Sequence, residues 1–205
     1  MTWLQLIGFL GASVLLTIAP GPDNLLVISL GISHGKREAV VTALGMTSGL
    51  LVHTVAAASG IATVLRHAPL LFILIQYSGA CYLLYCAWQI FHHASQPIRT
   101  VDTPSTHSLF RRGLLMNLLN PKVTMFFLAF LPQFIPSGTA SPFQFTLLLG
   151  LLFYLQAVGI FTGLAWTASS VGALLQRPGG ALCWLSRLTG LVLVILAARL
   201  LISPL

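Results

Sequence analysis

The sequence predicts an all-α membrane protein that crosses the lipid bilayer about six times. Apolar side chains make up 57% of its 205 residues and charged ones only 6%, whereas soluble domains carry about a quarter charged residues. The apolar residues also form long runs, and about 20 of them in succession are enough for an α-helix to cross a hydrocarbon core of about 30 Å. Lipid is therefore the expected solvent for most of the surface.

Six apolar runs follow one another, and each predicts one spanning helix in a single transmembrane domain over residues 1–205. One polar stretch, at about 92–110, is long and contains Pro97, Pro104 and several Ser and Thr, which is typical of a linker. It separates repeat one, about 1–91, from repeat two, about 111–205. The predicted spans are 3–32, 39–65, 69–91, 112–135, 143–175 and 181–202.

The basic residues predict the orientation. The net charge of +7 would suggest nucleic acid in a soluble protein, but here the basic residues lie at the ends of apolar runs, so no nucleic-acid partner is expected. If six spans alternate, one side receives only Arg66 and Arg199, and the other side is cytoplasmic because basic residues concentrate there. Both termini are then outside. The cytoplasmic set is Lys36, Arg37, Arg99, Arg111, Arg112, Arg177 and Arg187.

Matched interruptions occur in the first and fourth runs, which begin the two halves. Pro20, Gly21 and Pro22 interrupt the first, and Pro121 interrupts the fourth. Proline removes a backbone hydrogen bond and clashes with the preceding turn. Because each half has three spans, the halves would enter the membrane in opposite directions. The fold prediction is therefore two inverted three-helix repeats with broken first and fourth helices.

The residues around these breaks are the candidate binding residues. Pro22 suits the first position of a new half-helix, with Asp23 and Asn24 in its opening turn. Asn120 similarly suits an N-cap before the Pro121 position. Helix N-termini inside a membrane offer N–H groups and partial positive charge, which favour a carboxylate ligand.

Asp23 and Lys122 are the acidic and the basic residue that lie well inside a predicted span. Such a charge costs about 3 kcal/mol or more on insertion scales, so it requires a compensating role. In the functional interpretation, Asp23 contacts a substrate ammonium or carries a proton, and Lys122 contacts a carboxylate. The alternative is a structural ion pair that holds two broken helices together.

Other intramembrane features carry weaker predictions. Asn117 is a further polar candidate in the fourth run, whereas His53 is interpreted as a neutral, hydrogen-bonded packing residue. Glycine pairs at 45 and 49 and at 159 and 163 have the spacing that permits close helix contact. The sequence lacks the Cys and His spacings of a metal site, and also the HExxH, GxSxG and phosphate-loop motifs, so an enzyme is not expected.

At these residues the chain resembles the LysE/RhtB family of amino-acid exporters, and the resemblance spans almost the whole sequence. The paired interruptions are its most specific part. It is carried by Pro20-Gly21-Pro22 with Asp23 and Asn24, Gly35-Lys36-Arg37, Gly45 and Gly49, the stretch 78–83, and the stretch 117–134 with Asn120-Pro121-Lys122.

The resemblance implies a bacterial inner-membrane exporter of a small amino acid, with homoserine/threonine, leucine and lysine as the family's substrate types. It also implies six helices, coupling to the proton gradient and no bound cofactor. Two other classes stay open, namely a passive channel and a membrane scaffold subunit whose breaks shape an interface. The substrate, the proton stoichiometry, homo-oligomerisation and direct pairing of Asp23 with Lys122 also stay open.

Overall fold

The computed structural model describes residues 2–19, 21–67, 69–92, 105–136, 138–175 and 181–202, and this part of the chain is helical without strands, which confirms the all-α prediction. A π-helical turn and a 3₁₀ turn follow α6. The elements are α1 Trp3–Ile18, α2 Pro22–Ser33, α3 Lys36–His67, α4 Pro69–His92, α5 Thr106–Leu118, α6 Pro121–Met125, the π-helical turn Phe126–Phe130, the 3₁₀ turn Leu131–Phe134, α7 Pro142–Leu175 and α8 Ala181–Ile202.

Two helices in the described residues, within α3 and α7, are long and apolar enough to cross a membrane. The pair α1 and α2, and the pair formed by α5 with the segment 121–134, each pass the same test when taken together, so the count rises to as many as four. The six-span topology and the inverted relation of the halves stay predictions.

Apolar side chains cover the outer face of α7. Leu148, Leu151 and Leu155 are all exposed, and residues three and four apart share one face of a helix. A contiguous exposed apolar face of this kind is unfavourable in water and favourable in lipid. The surface of the structure therefore agrees with the membrane prediction made from composition.

The predicted breaks in the first and fourth runs are confirmed. At the first, α1 and α2 meet at 52°; Gly21 has an extended backbone, and Pro22 begins α2. Pro20 lies outside the described residues. At the second, the bend is 47°, and α6 begins at Pro121 with Asn120 as its N-cap. Both half-helices begin where the proline positions predict.

The two glycine pairs whose spacing permits close helix contact have different surroundings in the structure. A Cβ added at Gly45 would overlap the carbonyl of Phe110 in α5, and one at Gly113 would overlap the carbonyl of Thr42 in α3. The backbones of α3 and α5 therefore touch, and the prediction for this pair is confirmed. A Cβ at Gly159 or Gly163 would meet nothing within 4 Å among the described residues, so this pair makes no close helix contact within that part of the chain.

Candidate functional site

A small buried cavity lies between the broken helices and the long helices α3 and α7. Three of the predicted site residues line it: Asp23, Asn117 and Lys122. The remainder of the lining is largely apolar, and the full set is Leu16, Thr17, Asp23, Leu50, Asn117, Lys122, Val123, Phe153 and Phe161. The centre of a water molecule can occupy about 10 Å³ of it, which is room for one water. An amino acid would need its walls to move.

Asp23 and Asn120 connect the two breaks. The Asn120 side-chain amide donates to Asp23 Oδ2 at 2.7 Å, while its own oxygen accepts from the backbone N–H of Lys122 at 3.0 Å. Asp23 is only 2% exposed, yet its second oxygen, Oδ1, has no hydrogen-bond partner among the residues that the structure describes. One carboxylate oxygen is thus fixed to the second half of the chain, and the other is available to a donor.

Lys122 caps the end of α1. Its ammonium donates to the carbonyls of Ala19 at 3.1 Å and Leu16 at 3.3 Å. Carbonyls at the end of a helix lack intrahelical partners and carry partial negative charge, so a cation stabilises them. Gly21 makes room for this contact, because a Cβ there would be 3.2 Å from Lys122 Nζ.

Asn24 supports the same helix end from within the first half. Its amide donates to the carbonyls of Thr17 at 3.0 Å and Ile18 at 3.2 Å. Gln156, on α7, donates to the hydroxyl of Thr17 at 2.9 Å. Side chains from α2 and α6 therefore satisfy the backbone carbonyls at the interrupted end of α1, as a helix that ends in an apolar environment requires; the contact from α7 is to a side chain of α1.

The charges of Asp23 and Lys122 interact electrostatically, but neither residue is a hydrogen-bond partner of the other. Within the described residues, Asp23 is bonded to Asn120 and Lys122 to the carbonyls of α1. A carboxylate and an ammonium that share one cavity without a hydrogen bond between them have capacity for further ligands.

Asn117 contacts α3 through both its backbone and its side chain. Its backbone carbonyl accepts from His53 Nε2 at 3.2 Å, and the His53 ring stacks on Phe127 with ring centroids 5.7 Å apart. His53 is thus the hydrogen-bonded packing residue that was predicted. The Asn117 side chain lies on Gly49, where a Cβ would be 2.5 Å from Oδ1. Asn117 is 1% exposed, and that oxygen has no partner.

Unpaired acceptors are concentrated around the first break. Oxygens of four side chains are buried without a hydrogen-bond partner: Asp23 Oδ1, Asn24 Oδ1, Asn117 Oδ1 and Gln156 Oε1. Buried polar atoms are nearly always paired, so a group of exceptions requires an explanation. Two of these residues, Asp23 and Asn117, line the cavity, so a ligand there that donates hydrogen bonds would meet unpaired acceptors.

Sequence reasoning did not identify Thr17, which lines the cavity, or the role of Gln156. Thr17 looks like an ordinary residue of an apolar helix, and its only local signal is that it precedes the Pro20 break by three positions. Gln156 was a polar residue in an apolar run without an assigned partner. Only the packing of α7 against α1 brings the two together.

Broken helices that bring a carboxylate and an ammonium into an apolar bundle are typical of membrane transporters. A family model described as LysE type translocator matches residues 14–204. The chain belongs to this family, which is a family of membrane translocators and not of enzymes.

Relatives with assigned transport roles match over most of the chain. The homoserine/homoserine lactone efflux proteins of Salmonella typhimurium and Salmonella typhi are 31% and 30% identical to it over 180 residues, 87% of this chain and 87% of each relative. A membrane protein of Pseudomonas aeruginosa is 29% identical over 182 residues, 85% of this chain and 82% of its own. No solved structure matches the chain significantly.

Proposed function

We propose that this protein is a secondary active transporter that exports a small amino acid or derivative across the bacterial inner membrane in exchange for protons. The observation that carries the proposal is the pair Asp23 and Lys122, which line one cavity and are not bonded to each other. An ionised pair of this kind has no net charge and presents one negative and one positive group. A zwitterionic amino acid has the complementary arrangement.

Asp23 binds the substrate ammonium in this proposal. Its Oδ1 is buried and unpartnered, and an ammonium that reaches it forms a charge-assisted hydrogen bond. When no substrate is present, a proton can occupy the same carboxylate. Since the ammonium and the proton compete for one group, the inward movement of a proton can be coupled to the outward movement of substrate.

Lys122 binds the substrate carboxylate, and this step also moves the protein. In the described conformation its ammonium is bonded to the carbonyls of Leu16 and Ala19. To reach a carboxylate it must give up part of this contact, which leaves the end of α1 less well capped. Substrate binding would thereby loosen the first break and open the cavity, which is now too small for an amino acid.

The relatives support the choice of substrate class. Those of Salmonella are named for efflux of homoserine and homoserine lactone, so we place a homoserine- or threonine-like substrate first among the family's types, ahead of leucine and lysine. A substrate of this class supplies an ammonium for Asp23 and a small side chain.

Transport by the purified protein in liposomes with an imposed pH gradient tests the proposal. Radiolabelled threonine, homoserine, leucine and lysine should include at least one substrate that moves against its gradient only while the pH gradient persists. Saturation and counterflow are expected for a carrier. Passive, non-saturable flux would instead indicate a channel, and no flux of any candidate would favour a scaffold subunit.

Cysteine labelling tests the proposed orientation, with both termini outside. In a variant whose three native cysteines are replaced, a cysteine at Ser105 should react with an impermeant reagent only from the cytoplasmic side, and one at Gly138 only from the outside, because the basic residues concentrate on the Ser105 side. Labelling of both positions from one side would overturn the six-span topology.

A further inference from the structure

The cavity contains a third polar group besides the two charges. Asn117 lines the same space as Asp23 and Lys122, and its side-chain oxygen is buried with no hydrogen-bond partner among the described residues. The ammonium and carboxylate of an amino acid account for the first two residues. The third polar group is then available to the part of the substrate that differs between amino acids.

Two residues of α3 fix the position of Asn117. His53 binds its backbone carbonyl, and the missing side chain at Gly49 provides the space in which its amide lies. Helix α3 thus fixes the position of Asn117, and the residue also lines the cavity. A fixed acceptor in a buried site is costly to leave unpaired, so it discriminates between ligands that can and cannot donate to it.

The other residues that line the cavity offer few hydrogen bonds to a polar substrate side chain. Leu50 on α3 and Phe153 and Phe161 on α7 are apolar. Thr17 also lines the cavity, but its hydroxyl already donates to the carbonyl of Ser13 and accepts from Gln156. A substrate side chain in this space therefore meets hydrocarbon, this engaged hydroxyl and one amide. Among small side chains, a short one with a hydroxyl group satisfies both.

We propose that Asn117 is the specificity residue of the site and accepts a hydrogen bond from a hydroxyl group on the substrate side chain. This inference rests on the proposed amino-acid export. It predicts that the protein prefers hydroxylated amino acids to apolar ones of equal size, independently of how the ammonium and carboxylate are bound.

Isosteric pairs test the inference. Threonine and valine have nearly the same shape, as do homoserine and norvaline, and each pair differs by a hydroxyl group. Counterflow by the wild-type protein should favour the hydroxylated member by about tenfold, the upper range for one neutral hydrogen bond. The Asn117→Leu variant keeps the volume but removes the acceptor, and the ratio should fall to about one.

A second variant displaces the amide without removing it. In Gly49→Ala the new Cβ would occupy the space of Asn117 Oδ1, so the preference should fall in the same direction. Gln76→Leu is the matched control, because Gln76 is another buried amide that donates to Leu200 between α4 and α8 and does not line the cavity. Its hydroxyl preference should equal that of the wild type.

The outcomes separate this inference from the proposed function. No transport of any amino acid overturns the export proposal itself. Equal transport of threonine and valine by the wild type overturns the role of Asn117 alone. An Asn117→Leu variant that loses both substrates by the same factor also overturns it, because the residue would then contact the ammonium common to all amino acids. The ratio does not depend on the amount of folded protein.

Discussion

The two breaks interrupt their helices in different ways. The end of α1 is satisfied by side chains that arrive from other elements, namely Lys122 from α6 and Asn24 from α2. At the second break, Asn120 caps the half-helix that follows it, and His53 from α3 binds the carbonyl of Asn117 near the end of the helix that precedes it. Helix α5, which leads to it, is also in direct backbone contact with α3 at Gly45 and Gly113.

This difference suggests that the two breaks have different roles. A helix end whose capping groups come from elsewhere loses them when those groups bind a ligand. A helix that is capped by a neighbouring residue and packed backbone to backbone against another helix does not lose its capping groups when a ligand binds. In the proposed function, the first break responds to substrate because Lys122, which caps the end of α1, also binds the substrate carboxylate, and the second break is the platform that carries Asn120 and Lys122.

The largest effects are expected at the charges that join the two regions. Asp23→Asn should abolish proton-driven export, since the amide cannot ionise, and should weaken substrate exchange, since the charge that binds the ammonium is lost. Lys122→Gln should weaken substrate binding and also uncap α1. Removing one of two buried charges costs about 3 to 5 kcal/mol of stability, so each single variant should show low thermal stability in detergent.

The double variant Asp23→Asn with Lys122→Gln tests whether these charges are functional. It leaves no uncompensated charge, so expression and stability should recover. Export should not recover, because neither group of the substrate would find its partner. Transport at the wild-type rate by the double variant would contradict both functional assignments and support a structural pair.

A moderate effect on stability is expected at the platform. In Gly113→Ala the new methyl group would overlap the carbonyl of Thr42, so α3 and α5 must separate at a cost of about 1 to 3 kcal/mol. Gly159→Ala is the control, because its Cβ meets nothing within 4 Å. Thermal unfolding of the purified variants measures both. Equal stability of the two would show that the contact between α3 and α5 is not tight.

The glycine pairs also show what sequence could and could not predict. The pairs 45/49 and 159/163 have the same spacing, but within the described part of the chain only the first has another helix in close contact with it. Local chemistry was predictable: Pro22, Asn120 and Pro121 act on the residues beside them, and both half-helices begin as expected. Which helix faces a given glycine depends on the packing of the whole bundle.

For the site as well, the sequence could identify some features and not others. Asp23, Asn117 and Lys122 could be identified because a charge or an amide in an apolar run requires a reason. Their partners could not, since Lys122 binds carbonyls more than 100 positions earlier in the chain. Every residue has a backbone carbonyl, so a sequence does not indicate which carbonyls a side chain binds. The capping of α1 is therefore visible only in the three-dimensional structure.

The smallest effect on stability, and the most direct test of the first break, is expected for Gly21→Ala. The backbone of Gly21 is extended, a conformation that alanine also adopts, so no backbone strain is introduced. The new Cβ would instead be 3.2 Å from Lys122 Nζ, close enough to displace the flexible end of that side chain from the carbonyls of α1. Thermal stability should change little.

The effect of Gly21→Ala on transport has a definite sign. If the carbonyls of α1 compete with the substrate carboxylate for Lys122, weakening that contact by about 1 kcal/mol should lower the KM for substrate by about fivefold. Gly11→Ala is the matched control, since it lies in α1 and its Cβ meets nothing within 4 Å; its KM should not change. An increased KM in Gly21→Ala would mean that Lys122 binds substrate from its present position against α1. The first break would then be a rigid part of the site, like the second.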